Sequence, residues 1–156
     1  MTLVFQPEHI QTLKAHAEQA YPEECCGLLL GISDVINDHA QVQEVRPVHN
    51  TWTEEVNPFT ESDRSTKTVS KRNRFWIDPQ ILLMTQRECR DLGWNILGVY
   101  HSHPDHPAVP SERDHQLAWP SYSYPILSVT AQQVVEIQSW RLNDQGEFAA
   151  ETIQTA

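Results

Sequence analysis

The side chains best suited to chemistry lie in the stretch HSHPDHPAVPSERD, residues 101–114. His101 and His103 are two residues apart, and Ser111 and Asp114 follow three residues apart. Two imidazoles and one carboxylate form a common catalytic zinc set, which leaves a fourth coordination position for water. Zinc lowers the pKa of that water to about 7, so a hydroxide nucleophile becomes available at neutral pH. A bare His-x-His pair, however, is also typical of a surface turn or of histidines satisfied inside a core.

The elements around this stretch are expected to bring the three candidate ligands together. The apolar run ILGVY predicts a buried strand over residues 95–103, which ends in the two histidines. Because alternate residues of a strand point to the same face, the two imidazoles project side by side. Pro104 cannot donate the next backbone hydrogen bond, so we expect the strand to end there. Ser111 then predicts the start of a short helix, with Asp114 on its first turn.

The complete string resembles the JAMM motif of the MPN (Mov34/PAD-1) metalloproteases. That motif reads His-Ser-His-Pro and, seven residues after the second histidine, Ser-x-x-Asp; here residues 104–110 separate His103 from Ser111. The family also has a Glu-x-x-Gly pattern on an early strand, which Glu24-Cys25-Cys26-Gly27 supplies. The order of predicted elements agrees over nearly the whole chain. An HExxH helix and the HxE and PCxxC pair of zinc deaminases do not occur in the sequence.

The resemblance implies a role for each position of the motif. His101, His103 and Asp114 would bind one zinc ion together with a water molecule. Glu24 would take a proton from this water and deliver it to the leaving amine, first as a general base and then as a general acid. Its neighbour Glu23 would point to the opposite face of the strand, and the Glu-x-x-Gly spacing selects Glu24. Iron or cobalt could also occupy a site of this composition.

Ser111 has two interpretations, and both stay open. By resemblance, its hydroxyl would donate a hydrogen bond to the tetrahedral oxyanion, a role worth about 3 kcal/mol in comparable sites. A serine at the start of a helix is also typical of an N-cap, whose oxygen accepts a backbone hydrogen bond. The flanking His106 and His115 are expected to be exposed.

The pattern of the whole chain predicts an α/β fold. Helices are expected at residues 7–20 and 78–93 and after Ser111, and strands at 25–32, 40–48, 95–103, 124–130, 134–142 and 146–153. Asp78 caps the second long helix, Pro79 suits its first position and Gly93 suits its end. Its apolar face is expected to comprise Ile81, Leu82, Met84 and Leu92. The resemblance implies a single domain over residues 1–156, with a curved mixed sheet flanked by helices, layered as in cytidine deaminases.

Residues 50–73 form a long polar stretch without a clear period, which predicts a mobile flap. Its second half and the next residue hold five of the chain's eleven basic residues: Arg64, Lys67, Lys71, Arg72 and Arg74. A solvated loop accounts for this charge, and so does a surface that binds an acidic partner or a carboxylate. The resemblance implies a substrate with an extended C-terminal Gly-Gly tail, which could pair with the flap by strand addition.

Composition excludes several classes of protein. The net charge of -10 argues against a nucleic-acid binder, which needs a basic face. The first residues, MTLVFQPEHI, do not have the pattern of a signal peptide, and the apolar runs are too short to span a bilayer. Three cysteines, two of them adjacent, form a poor disulfide framework. We therefore expect a cytoplasmic protein in which Cys25 and Cys26 are buried structural thiols.

The function implied by the resemblance is zinc-dependent hydrolysis of a peptide or isopeptide bond after the C-terminal Gly-Gly of a ubiquitin-like or sulfur-carrier protein. Nine residues separate Asp114 from the next predicted strand, as in the small stand-alone prokaryotic members of the family. Three alternatives are a peptidase for small peptide or amide substrates, a subunit that is active only with a partner, and an inactive scaffold. Retention of every ligand argues against the scaffold. Small members of the family sometimes form homodimers, and this chain could do so.

Overall fold

The computed structural model describes residues 1–56 and 68–156, which contain three α-helices and seven strands. The helices are α1 (Pro7–Ala20), α2 (Pro79–Leu92) and α3 (Glu112–Leu117), and a 3-10 turn spans Glu54–Val56. The strands are β1 (Thr2–Phe5), β2 (Cys26–Asp34), β3 (His39–Val48), β4 (Asn95–Pro104), β5 (Tyr124–Thr130), β6 (Gln133–Leu142) and β7 (Phe148–Thr155). Residues 57–67, which belong to the expected flap and include Arg64 and Lys67, lie outside the described residues.

The strands form one mixed sheet that closes into a barrel in the order β1-β3-β2-β4-β5-β6-β7. Antiparallel pairs join β2 to β3 and β4, and β6 to β5 and β7. Parallel pairs join β1 to β3 and β7, and β4 to β5. The predicted α/β class and mixed sheet are confirmed. The sequence pattern does not predict β1, because four residues ahead of a helix carry little periodicity, yet this strand closes the ring.

Helices α1 and α2 cover opposite faces of the sheet, so the expectation of helices on both sides is confirmed. Side chains alternate between the two faces along each strand. Leu29 of β2 therefore lies in one core with Leu13 of α1. Its neighbours Leu28 and Leu30 lie in the other core with Cys89 of α2. By the same alternation, even-numbered residues at the start of β2 point toward the α2 side.

Helix ends agree with the predicted capping residues. The Asp78 side chain accepts a hydrogen bond in the first turn of α2, and Pro79 is the first helical residue. Gly93 ends that helix with a φ of 71°, in the left-handed region that glycine adopts easily. Ser111 caps α3. Local hydrogen-bonding preferences are therefore sufficient to define these boundaries.

Helix α2 packs on the sheet through a different face from the expected one. Four residues were expected to be buried: Ile81, Leu82, Met84 and Leu92. Of these, Ile81, Met84 and Leu92 are 37%, 55% and 56% exposed, and only Leu82 packs against the core. Thr85 and Cys89 are buried instead. The Thr85 hydroxyl donates to the Ile81 backbone carbonyl at 2.7 Å, which satisfies a polar side chain inside the core.

Gly98 allows β4 to approach the Ser123 backbone closely, and an alanine at this position is expected to destabilise the protein. A Cβ atom at residue 98 would lie 1.9 Å from the Ser123 carbonyl oxygen, a backbone atom that cannot rotate away. We expect Gly98→Ala to lower the free energy of unfolding by about 2–4 kcal/mol, measured by urea unfolding. Gly93→Ala meets no described atom within 4 Å and should cost only about 1–2 kcal/mol, from its positive φ. Equal losses in the two variants would contradict the steric explanation.

Candidate metal centre and active site

Strand β4 carries His101 and His103 to one end of the sheet, where both imidazoles are buried. It pairs with β2 on one side and with β5 on the other, and Cys26 lies opposite His101. The two Nε2 atoms are 3.0 Å apart. The strand thus brings the two rings together as expected, and Pro104 is its last residue as predicted.

Helix α3 brings Asp114 against the two histidines. Its N-terminus is a capping box: the Asp114 N–H donates to the Ser111 hydroxyl at 3.1 Å, and the Ser111 N–H donates to Asp114 Oδ2 at 2.9 Å. This reciprocal pair orients the carboxylate over the first turn. Asp114 Oδ1 lies 3.2 Å from His101 Nε2, and Oδ2 lies 3.2 Å from His103 Nε2. The three side chains predicted as ligands therefore meet at one point.

The spacing of these donor atoms fits a tetrahedral metal ion. Ligand atoms about 2.0–2.1 Å from such an ion are about 3.3 Å from one another. The two Nε2 atoms are 3.0 Å apart, and each lies 3.2 Å from a different oxygen of the Asp114 carboxylate. His103 Nδ1 lies 2.8 Å from the Pro107 carbonyl oxygen, which can only accept. Nδ1 therefore carries the proton, and the Nε2 lone pair faces the cluster, as is usual for a metal-binding histidine. His101, His103 and Asp114 would hold the ion and leave a position for water.

Coupling within the cluster shifts two pKa values in opposite directions. Burial lowers the pKa of His103, but the hydrogen bond and charge of Asp114 outweigh burial, so this pKa is raised above 6.5. Burial raises the pKa of Asp114, but the charges and hydrogen bonds of His101 and His103 outweigh it and hold this pKa well below 3.8. Because a metal ion needs the unprotonated Nε2, metal binding competes with protonation of His103.

The metal-free protein is expected to lose stability as the pH rises above neutrality. The raised pKa of His103 contributes stability that is complete below 6.5 and is lost as the pH rises through the folded value. The lowered pKa of Asp114 contributes stability that is complete above 3.8 and is lost as the pH falls through the folded value. The Tm of EDTA-treated protein should therefore be higher at about pH 5.5 than at about pH 8.5. Asp114→Asn should reduce this difference, and an unchanged difference in that variant would contradict its assignment to the cluster.

Glu24 lies beside this cluster and is buried, whereas Glu23 is exposed. Cys26 is opposite His101 in the antiparallel pair of β2 and β4. The Ser102 N–H donates to the Cys25 carbonyl at 3.1 Å, which continues this register toward the start of β2. Glu24, two residues before Cys26, is therefore level with His103. Of the two adjacent glutamates, the structure brings Glu24 to the cluster.

The environment of Glu24 favours its protonated form. Burial raises the pKa of its carboxyl group well above 4.5, and the negative charge of Asp114 raises it further. The positive charges of Arg74 and Arg113 oppose this shift but do not cancel it. A buried carboxyl group with a raised pKa beside candidate metal ligands is suited to proton transfer.

Ser111 is exposed at the start of α3, and the N-cap interpretation agrees with its observed hydrogen bond. Its oxygen accepts from the Asp114 N–H, while a hydroxyl group also carries one proton that it can donate. Capping therefore uses the acceptor side of the group. The two interpretations of Ser111 are compatible in this geometry.

Phe75 is a residue of the site that the sequence analysis does not identify. Its ring stacks on His101, with centroids 4.7 Å apart and planes inclined by 26°. The ring therefore supports one face of the His101 imidazole. Phe75 belongs to the irregular chain ahead of α2, where no period assigns a side chain to a face. Its only sequence signal is an apolar aromatic residue after a basic polar stretch.

The remaining residues of interest occupy the environments expected for them. Cys25 and Cys26 are buried, and burial raises the pKa of Cys25 to about 12 and that of Cys26 in the same direction. Both thiols therefore stay protonated and are poor nucleophiles. His106 and His115 are exposed. Within residues 1–56 and 68–156, we find no helix with the length and apolar character needed to cross a membrane.

Three curated relatives are similar to this chain. The desampylase of Haloferax volcanii is 32% identical over 108 residues, which are 69% of this chain and 63% of the relative. The CysO-cysteine peptidase of Mycobacterium tuberculosis is 27% identical over 143 residues, 91% of this chain and 84% of the relative. A probable TtuB-protein conjugate cleaving protease of Thermus thermophilus is 30% identical over 105 residues, 67% of this chain and 55% of the relative. The match thus spans less than two thirds of the first and third relatives.

Solved structures and a family model agree with this similarity. A solution structure of a protein from Desulfitobacterium hafniense has a TM-score of 0.75 and 32% identity, and covers 99% of this chain and 92% of its own. A JAB1/MPN domain protein from Archaeoglobus fulgidus shares the fold, with a TM-score of 0.51, 18% identity, and coverage of 98% and 96%. The family model described as prokaryotic homologs of the JAB domain matches residues 6–143, which include Glu24 and the whole stretch 101–114. This chain therefore belongs to the prokaryotic JAB-domain family.

Proposed function

We propose that this chain is a zinc-dependent hydrolase that cleaves a peptide or isopeptide bond after the C-terminal Gly-Gly of a ubiquitin-like or sulfur-carrier protein. The observation that carries the proposal is the convergence of His101, His103 and Asp114 beside the buried Glu24: the two Nε2 atoms are 3.0 Å apart, and each lies 3.2 Å from an oxygen of the Asp114 carboxylate. The names of two relatives support this class of substrate: a CysO-cysteine peptidase and a probable protease that cleaves TtuB-protein conjugates.

Glu24 transfers the proton in this reaction. Zinc held by His101, His103 and Asp114 supplies a Lewis acid when bound. A carboxylate oxygen of Glu24 accepts a proton from the attacking water and delivers it to the nitrogen of the leaving amine. The products are a free C-terminal carboxyl group on the carrier and a free amine on the leaving group. The raised pKa of Glu24 makes its carboxylate a stronger base toward the attacking water.

Ser111 stabilises the oxyanion of the tetrahedral intermediate. Its oxygen is held by the Asp114 N–H at 3.1 Å, which leaves its proton to donate toward the reacting carbonyl. The capping box thus contributes a ligand and an oxyanion donor from one turn of α3.

The flap over residues 50–73 holds the extended Gly-Gly tail by strand addition. Its described end lies beside the backbone of the catalytic residue, because the Glu24 N–H donates to the Lys71 carbonyl at 2.7 Å. A narrow channel beside the flap admits glycine and excludes larger residues. Lys71 and Arg72 supply positive charge for an acidic carrier.

The domain organisation, cellular location and oligomeric state are part of the same proposal. Residues 1–156 form one JAB domain that works in the cytoplasm and can form a homodimer. The three cysteines are all free and buried, which is typical of a reducing compartment.

The test is cleavage of a ubiquitin-like sulfur carrier extended by a short peptide after its Gly-Gly, with zinc per chain measured on the same sample. Zinc-dependent release of the extension, and no release from a carrier with Ala-Ala at that point, is the expected result. Zinc binding without cleavage, together with hydrolysis of small dipeptide amides, would favour the small-substrate alternative. Turnover that starts only after a second protein is added would favour the partner-dependent alternative. Absence of bound metal would overturn the proposal.

A further inference from the structure

The side chain of Asn50 makes four hydrogen bonds to the backbone of three separate segments. Its Nδ2 donates to the Glu24 carbonyl at 3.1 Å and to the Arg74 carbonyl at 2.9 Å. Its Oδ1 accepts from the Trp52 N–H at 3.1 Å and from the Trp76 N–H at 3.2 Å. An asparagine side chain has two donor protons and two acceptor lone pairs, so its full capacity is used. The two carbonyls and two N–H groups also define the orientation of the amide.

The segments that Asn50 joins carry Glu24 and Phe75, two residues of the proposed active site. No helix or strand contains both of them. Glu24 precedes β2, and its N–H donates to the Lys71 carbonyl at 2.7 Å. Residues 70–78 lead into α2 and include Phe75, which stacks on His101 with centroids 4.7 Å apart. Asn50 itself follows the end of β3. One amide therefore links the chain that carries the acid–base group to the chain that supports a metal ligand.

We propose that Asn50 is a positioning residue that fixes the backbone of Glu24 relative to the Phe75–His101 stack, so that the carboxyl group of Glu24 is held over the metal site. This inference rests on the proposed hydrolytic function, and it adds a residue that contacts neither metal nor substrate. The metal ligands lie on β4 and α3, and the four hydrogen bonds of the Asn50 side chain go to other segments. Its loss therefore loosens the backbone at Glu24 and around Phe75, while the ligands remain anchored by the pairing of β4 with β2 and β5 and by the capping box of α3.

Asn50→Asp is the sharpest variant, because aspartate has nearly the same shape and keeps the two acceptor interactions. It removes both donors and places carboxylate oxygen against the Glu24 and Arg74 carbonyls. Asn50→Ala removes all four hydrogen bonds without adding charge. Asn37→Asp is the matched control: the Asn37 Nδ2 donates to Asp34 at 2.7 Å in the exposed turn between β2 and β3, at the far end of these strands from Glu24.

The experiment measures zinc per chain, kcat and KM on the extended carrier, and amide hydrogen exchange by mass spectrometry. In both Asn50 variants we expect kcat to fall by about tenfold or more, as for a misplaced catalytic group, with KM and zinc content unchanged. We also expect faster exchange at Glu24 in both variants, faster exchange at Trp76 in Asn50→Ala, which removes the acceptor of the Trp76 N–H, and unchanged exchange in β4. The Asn37→Asp variant should match the wild type in all of these measurements.

The hydrogen-exchange measurement needs no substrate. Its result therefore tests this inference separately from the proposed function. If the wild type cleaves no carrier, the proposed function fails, but faster exchange at Glu24 and Trp76 alone would still support the link through Asn50. Unchanged exchange at Glu24 in both variants would overturn the inference. Loss of zinc or of β4 protection in both variants would also overturn it, because Asn50 would then support the fold as a whole.

Discussion

Glu24→Gln is expected to lower kcat by about 10²–10⁴-fold, because general acid–base catalysis contributes about that much. Glutamine keeps the shape of the side chain but neither accepts nor delivers a proton at the reacting atoms. The proposed ligands His101, His103 and Asp114 lie on other elements, so zinc content should not change. Steady-state kinetics on the Gly-Gly-extended carrier and metal analysis of the same preparation measure both quantities.

Glu23→Gln is the matched control for this prediction. Glu23 is the adjacent, exposed glutamate, and the change in charge and shape is the same. It should retain the wild-type kcat. Equal losses in the two variants would show that the effect comes from local charge, and loss of zinc in Glu24→Gln would show that Glu24 supports the metal site itself.

The same Glu24→Gln variant should gain stability relative to the wild type as the pH rises. Burial, with the charge of Asp114, raises the folded pKa of Glu24 well above 4.5. The stabilising contribution of the protonated group is therefore complete below 4.5 and is lost as the pH rises through the folded value. Glutamine does not titrate and avoids this loss. Urea unfolding of metal-free protein at about pH 4 and about pH 8 should show the variant's advantage only at the higher pH. An equal advantage at both would exclude titration as its cause.

Asp114→Asn is expected to weaken zinc binding by on the order of 100-fold or more. Removing even a residue that only hydrogen-bonds a metal ligand lowers metal affinity by about 10–100-fold. The carboxylate lies 3.2 Å from each histidine Nε2 and supplies the only negative charge among the three proposed ligands. The asparagine Oδ1 can still accept from the Ser111 N–H, so α3 should remain capped. Competition with a chromophoric chelator measures affinity, and circular dichroism checks that the helix content is unchanged.

Asp105→Asn provides the control for a nearby carboxylate outside the cluster. Asp105 is exposed and accepts hydrogen bonds from the Tyr21 hydroxyl at 2.9 and 3.0 Å. This variant should bind zinc as the wild type does. Wild-type zinc affinity in Asp114→Asn would remove Asp114 from the ligand set, whatever the behaviour of Asp105→Asn.

Features that depend on local spacing could be predicted from the sequence alone. A period of two residues brings His101 and His103 to one face of a strand, and Pro104 ends that strand because it has no N–H to donate. Ser111 and Asp114 form a capping box because three residues separate them on the first turn of a helix. These relations involve neighbours in the chain, so the backbone geometry of one element is sufficient to establish them.

Features that depend on long-range packing were decided only by the tertiary structure. The closure of the barrel by β1 requires pairing with β3 and β7 from distant parts of the chain. The buried face of α2 follows from its position on the sheet, so Thr85 is inside while Met84 is outside.

The sequence by itself determined the family, the candidate ligands and the choice of Glu24 as the acid–base candidate. It did not determine what supports them. Phe75 reaches His101, and Asn50 reaches Glu24, from chain that has no period and therefore no predictable face. The raised pKa of Glu24 likewise arises from burial and from the charge of Asp114, which is distant in sequence. Burial and charge proximity depend on how separate elements pack together, which a pattern of local spacing does not encode.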